Sequence, residues 1–164
     1  MANHPFSFTK EERLCSEIQI AELFQNGDSF MSYPMRIVWQ AYKPVDNPTV
    51  QVVMSVPKKK LKHAVDRNRV KRLLREAYRL NKQTLVQEAL NQGVSVRMAF
   101  IWIPSEVLGF AKVEKKMREA IVKMDKALVQ KFMEPDFTDI ADRVDVAPND
   151  GCDLNHNIRN EQGL

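Results

Sequence analysis

The sequence predicts an α+β domain, a small mixed sheet packed with helices, with elements in the order α-β-β-β-α-β-α. Three observations predict it. Two stretches, 35–42 and 50–56, are rich in β-branched and aromatic residues. A third, 94–103, alternates Val96, Met98, Phe100 and Trp102 with Ser95, Arg97, Ala99 and Ile101. Three other stretches carry apolar residues at helical spacing, and helices interleaved with strands in this way make a layered α+β fold.

The first helix is expected over 17–26. Ser16 followed three residues later by Gln19 reads as a capping box, and Gly27 reads as the C′ residue that ends the helix. Its apolar face is Ile20, Leu23 and Phe24 with Ala21 beside them. A short strand at 29–33 is expected before the stronger one at 35–42. The turn-like 44–48, with prolines at both ends, then makes 35–42 and 50–56 an antiparallel pair. One long helix comes next. On a wheel started at Arg67, Val70, Leu73, Leu74, Ala77 and Tyr78 fall in one arc, and Arg67, Asn68, Lys71, Arg72, Arg75 and Arg79 fill the opposite one. The strand at 94–103 ends at Pro104. The last helix, 110–131, carries Val113, Met117, Ala120, Ile121, Met124 and Leu128 as one stripe. A strand–helix–strand link from 50 to 103 is right-handed by the general rule.

The 164-residue chain is 44% hydrophobic and 28% charged, the balance of a globular protein and not of a fibre or a wholly disordered chain. No run is long and apolar enough to span a bilayer, and the first ten residues lack the apolar core of an export signal, so a cytoplasmic protein is expected. Cys15 and Cys152 lie far apart, and reduced thiols are expected. The net charge of +4 hides an asymmetry. Residues 1–128 hold 22 Lys and Arg against 13 Asp and Glu, whereas 129–164 hold 3 against 8. The division predicts a folded basic domain over 1–128 and an acidic, disordered tail over 129–164. Residues 58–82 carry 11 basic and 2 acidic side chains, a net +9 equal to that of the whole domain.

That concentration points to nucleic acid. Guanidinium groups make planar bidentate contacts to phosphate, lysines add hydrated point charges, and Asn68 can bond a base edge or a 2′-hydroxyl. Charged helix faces are usually just solvated. Here Asp66 and Glu76 are the only acids among many bases, and uncompensated repulsion is hard to explain without an anionic partner. The candidate RNA-binding residues are Lys58, Lys59, Lys60, Arg67, Asn68, Arg69, Lys71, Arg72, Arg75 and Arg79. His63, beside the basic loop, reads as a further phosphate contact. His4, His63 and His156 show no partner spacing, and no acid pair suggests a two-metal centre, so neither catalytic nor metal-ligating residues are expected in the protein. Cys152 and His156, four apart with no further ligands, do not make a zinc site.

The stretch 64–79, Ala-Val-Asp-Arg-Asn-Arg-Val-Lys-Arg-Leu-Leu-Arg-Glu-Ala-Tyr-Arg, closely resembles the signature of the ribonuclease P protein family, whose hallmark is an Arg-Asn-Arg core on a basic helix. Ser55-Val56-Pro57-Lys58-Lys59, and Phe8, Arg13, Leu14, Phe24 and Gly27, are similar in order and spacing to neighbouring parts of that family. The resemblance covers about 8–128. Ile20 stands where many members have an aromatic, and the loop 58–63 is one residue longer.

The resemblance implies several things beyond the residue pattern. The βαβ crossover would be a rare left-handed one. The protein would be the non-catalytic subunit of a ribonucleoprotein endonuclease that removes the 5′ leader of precursor tRNA. Its partners would be a catalytic RNA subunit and precursor tRNA, with no membrane and no protein partner required. Magnesium would be held mainly by the RNA. The face between the first helix and the sheet would bind the leader, with Phe24, Trp39 and Tyr42, and also Tyr33, as candidate stacking planes. The rival reading from the residues alone is a non-enzymatic RNA-binding module, such as a ribosomal or assembly protein. A membrane-surface helix is the weaker rival, because the apolar face is small and flanked by strands.

Overall fold

The structure, a computed structural model, describes residues 7–133. A short 3₁₀ turn (Lys10–Glu12) leads into α1 (Glu17–Asn26), then β1 (Asp28–Ser32), β2 (Met35–Tyr42) and β3 (Val50–Ser55). Helices α2 (Ala64–Asn81) and α3 (Gln83–Gln92) follow, then β4 (Ser95–Trp102) and α4 (Phe110–Met133). The α+β class stands, with one element more than expected. The single long helix is two, because the helical ladder of α2 ends at Asn81 and α3 starts afresh beyond Lys82. The buried Lys82 side chain fixes that junction, its Nζ donating to the Ser7 carbonyl and the Glu12 carboxylate. Gly93, at φ +66°, closes α3 in the left-handed region that favours glycine.

The strand order is β1-β2-β4-β3. β2 pairs antiparallel with both β1 and β4, and β3 pairs parallel with β4, so the expected pairing of 35–42 with 50–56 is replaced by insertion of β4 between them. The reason lies in burial. All eight residues of β4 are buried, whereas a strand at a sheet edge would leave a row of backbone groups unpaired. A parallel β3–β4 pair needs a long crossover, and α2 and α3 supply it.

The two sides of the sheet are unequal. Met35, Ile37, Trp39, Val52, Met98, Phe100 and Trp102 join Val70, Leu74, Ala77 and Tyr78 of α2 and the α4 stripe from Val113 to Leu128 in the large core. On the other side, Val38, Val53, Ala99 and Ile101 meet Leu14 and Leu23, with Ile20 and Phe24 partly buried against them. Helix α1 covers that smaller core. Ala21, expected on its apolar face, is exposed, and Gln19 is buried in its place. Ser16 caps the helix by accepting from the Gln19 amide at 3.5 Å.

Gly27 ends α1 for a different reason from the one its position suggests. Its φ of −76° is open to any residue, so no left-handed turn requires glycine here. A Cβ would instead sit 2.4 Å from the Leu23 carbonyl oxygen and 2.9 Å from Val38 Cγ1. Helix α4 continues to Met133, so residues 129–133 of the expected tail are helical, and the rest of it lies outside the described residues. The reduced thiol expected for Cys15 is not found, since no cysteine is free among the described residues, and Cys152, His4 and His156 lie outside them.

Gly27→Ala should destabilise the fold by about 1–3 kcal/mol, because the α1–β2 junction must open to admit the methyl group. Urea unfolding measures it, and a loss below about 0.5 kcal/mol would show that the junction yields freely.

Candidate nucleic-acid interface

Helix α2 carries the densest charge. Its stripe of Val70, Leu74, Ala77 and Tyr78 is wholly buried, which turns the opposite arc to solvent. Tyr78 packs edge-on to Phe8 and tilted to Phe100, both with ring centroids 5.9 Å away. Burial pushes its hydroxyl well above the ordinary tyrosine range, so it stays neutral. On the outer arc Asn68, Arg69 and Arg72 are exposed, and Lys71 and Arg75 are half-buried. Burial, then the neighbouring Arg13 and Arg72, hold the Arg75 guanidinium below its usual pKa. The last two causes are like-charge repulsion, and they reveal what the sequence alone does not. Arg13, 62 positions away and half-buried over the Phe8 ring, lies close enough to Arg75 for the two charges to repel.

The expected residues therefore divide by role. Arg69 and Arg72 are presented to solvent. Arg67 is committed within the fold, its Nη1 donating to the Leu61 and Lys62 carbonyls at 2.8 and 2.7 Å. These bonds tie the loop bearing Lys58, Lys59 and Lys60 to the first turn of α2, while the Lys60 and Leu61 amides close a turn onto the Pro57 carbonyl. Lys58 and Lys59 are exposed, with Lys60 half-buried behind them. Arg79 is held by Glu76 through two bonds of 2.9 and 2.6 Å, which largely cancels its charge. His63 is exposed at the N-cap of α2.

The second candidate surface lies across the sheet, between α1 and the outward side of β2, β4 and β3. Phe24 is half-buried against the smaller core, leaving part of its ring open. Tyr42 is half-buried as well, and the Arg97 guanidinium sits over its ring, 4.4 Å from the centroid. Arg97 is only 1% exposed. Its Nη1 lies 3.4 Å from the Glu22 carboxylate, and its Nε has no hydrogen-bond partner among the described residues. The buried carboxamide oxygens of Gln40, its neighbour across β2, and of Gln19 on α1 also lack partners there. Sequence reasoning missed Arg97 because its strand position looks like one more alternating residue. The signal was available, since a lone arginine in so apolar a strand needs a reason.

Trp39 is a correction. It is 4% exposed and points to the other side of the sheet, in the large core, with Lys131 Nζ 5.0 Å from its ring centre. The period of two puts residue 39 with 37 and 41, opposite to 38 and 42, so it cannot share a stacking surface with Tyr42. Tyr33 is 52% exposed, in the β1–β2 turn. Among the described residues, no three His, Cys, Asp or Glu side chains are grouped to hold a metal ion. Nor is any described helix long and apolar enough to cross a membrane.

Comparison with known proteins decides the family. Residues 8–125 match the family described as Ribonuclease P. The chain belongs to the ribonuclease P protein family. It is 35% identical over 119 residues to the ribonuclease P protein component of Porphyromonas gingivalis, covering 73% of this chain and 87% of that one. The fold is similar to that of an RNase P protein mutant of Staphylococcus aureus with defective mRNA degradation activity. There the TM-score is 0.56 at 18% identity, over 71% of this chain and 90% of the other. It is also similar to the RNase P protein of Thermotoga maritima, with a TM-score of 0.54 at 21% identity over 68% and 96% of the two chains. At these identities the two structures speak for the fold alone.

The division within the Arg-Asn-Arg core is testable without RNA. Arg67→Ala should lower unfolding free energy by about 1–3 kcal/mol, since it abandons two loop carbonyls. Arg69→Ala should change it by no more than about 0.5 kcal/mol. Equal effects in urea titrations would show that Arg67 does not organise the loop.

Proposed function

We propose that the chain is the protein subunit of a ribonuclease P, binding the catalytic RNA and the 5′ leader of precursor tRNA to promote endonucleolytic removal of the leader. The observation that carries this reading is the unneutralised arginine surface of α2. Arg69 and Arg72 stand open to solvent, and Arg13 and Arg72 press on Arg75. Clustered like charge opposes folding unless a polyanion compensates it, and guanidinium groups suit phosphate geometry.

In this reading Arg69, Lys71, Arg72 and Arg75, with Arg13 and the lysines at 58–60, contact phosphates of the RNA subunit. Asn68, exposed between two arginines, is free to bond a base edge or a 2′-hydroxyl. Arg67 acts by holding the lysine loop against the helix. The half-open ring of Phe24 and the Arg97–Tyr42 pair face the leader, where unpaired bases offer planes for stacking. The protein supplies binding and position. Magnesium, held mainly by the RNA, supplies the activation of water in the cleavage step. The complex works in the cytoplasm and needs no second protein.

Two measurements test this on the assembled ribonucleoprotein. Arg69→Ala and Arg72→Ala should each reduce the log–log salt slope of RNA-subunit binding by about 1. An unchanged slope in both would mean that the face is only solvated. Phe24→Ala should weaken binding of precursor roughly fivefold to a hundredfold, from a stacking contribution of about 1–3 kcal/mol per base, while mature tRNA binds almost equally. Equal losses for both ligands, with a lower melting temperature, would assign Phe24 to core packing alone.

A further inference from the structure

The cationic surface of α2 is not the only one. Helix α4 buries Val113, Met117, Ala120, Ile121, Met124 and Leu128. At 100° per residue, the arc away from that stripe holds Lys112, Lys115, Lys116, Lys123 and Lys126 within roughly 100° of one another. Lys112, Lys115, Lys123 and Lys126 are exposed, and Lys116 is half-buried. One acid, Glu119, shares the arc. Lys116 bonds it at 2.8 Å, and Lys115 and Lys123 also help to hold its carboxyl below the usual range. Three ammonium groups thus surround one carboxylate, and Lys112 and Lys126 add two more with no compensating acid in the arc.

This distribution is poorly suited to stabilising the helix. Like charges three and four residues apart, such as Lys112 with Lys115 and Lys116, or Lys123 with Lys126, repel one another. The first turn of α4 contains no acid, and Lys112, Lys115 and Lys116 sit towards the end where the helix dipole favours negative charge. Elsewhere on α4 the usual pairing is present, with Arg118 bonded to Glu114 at 2.6 Å and Lys131 to Asp28 at 2.7 Å. The lysine arc is the exception on its own helix.

We infer that the lysine arc of α4 is a second RNA-binding surface, one that holds backbone phosphates without reading sequence. The inference rests on the ribonuclease P reading for the identity of the polyanion. Lysine is a hydrated point charge without the planar fork of arginine, so a row of lysines attracts phosphate with little demand on its orientation. From Lys112 to Lys126 the row spans about 21 Å, long enough to follow a strand over several nucleotides. Val122, 47% exposed, is the main apolar side chain near the arc. A helix that lay on a membrane would need a broad apolar face there, which favours RNA over a lipid surface. The arginines of α2 fix register, and the lysines of α4 capture and steer.

The test replaces Lys112, Lys115, Lys123 and Lys126 together by glutamine, with a four-fold lysine-to-arginine variant as the charge-preserving control. Binding of the full chain to the RNA subunit, and of precursor tRNA to the assembled holoenzyme, is measured over a series of potassium chloride concentrations. Melting temperatures check folding. The glutamine variant should lower the salt slope by about 3 in one of these two arms, which identifies the RNA that lies on α4, and the arginine variant should keep it. Should the glutamine variant fail to fold, single Lys→Gln replacements replace it, each expected to lower the slope by nearly 1. Slopes unchanged in both arms, while Arg69→Ala and Arg72→Ala still lower theirs, would overturn the inference and leave the ribonuclease P reading intact. Slopes insensitive to both helices would overturn both. Loss of binding to anionic phospholipid vesicles with no change in either RNA slope would also overturn it, in favour of a membrane.

Discussion

Strand β4 is buried along its whole length, and most of the molecule follows from having to cover it. Its odd and even residues enter different cores: Val96, Met98, Phe100 and Trp102 the large one, Ala99 and Ile101 the small one. A strand buried on both faces needs neighbours on both edges, and β2 and β3 fill those places. It also needs a layer above and a layer below. The upper layer is α2, α3 and α4, and the lower is α1. The arginine face of α2 and the face between α1 and the sheet are therefore on opposite sides of one sheet because the strand between them has no exposed side.

Charge is then distributed by what each layer leaves uncovered. Helix α2 gives up one stripe to the core, so its arginines turn outward, where their mutual repulsion is relieved by solvent and, in the proposed function, by phosphate. The few acids near them have local duties. Glu76 holds Arg79, and Glu12 holds the buried Lys82 at the helix junction. Although Glu76 lies one turn from Arg72 and Asp66 one turn from Arg69, no ion pair engages either arginine among the described residues, so the face stays cationic. Arg97 is the opposite case, a charge drawn inside and balanced by Glu22 and the Tyr42 ring. A buried cation with an unsatisfied Nε is costly, and such sites persist where a ligand or a fixed geometry repays them.

Arginine and lysine also divide between the helices. On α2 the planar groups stand beside Asn68, a side chain able to read edges. On α4 the charges are ammonium groups at the end of flexible stems. The first arrangement discriminates between geometries, whereas the second attracts a polyanion from a distance and tolerates how it arrives.

The buried and charged faces of the basic helix were legible in the sequence, because α2 obeys a 3.6-residue period and its charge is locally dense, but the separate duties of Arg67 and Arg79 were not. The alternation of the strands was legible for the same kind of reason, as was the family, carried by a contiguous motif. Non-local facts were not. The insertion of β4 between β2 and β3 depends on which strand gains most from burial on both edges, a comparison that no local window contains. Trp39 was misassigned because composition cannot say which side of a sheet a strand turns to the larger core. Arg13 joins Arg75, Arg97 meets Glu22 and Tyr42, and Gly27 is demanded by Val38 only once the chain has folded back on itself. By itself the sequence determined the strands, the helices apart from the break between α2 and α3, most of their amphipathic faces and the sign of the charge, since these depend on neighbours a few residues apart. Only the tertiary structure decided strand order and which charges stand together or are neutralised, since these depend on contacts between residues distant in the chain.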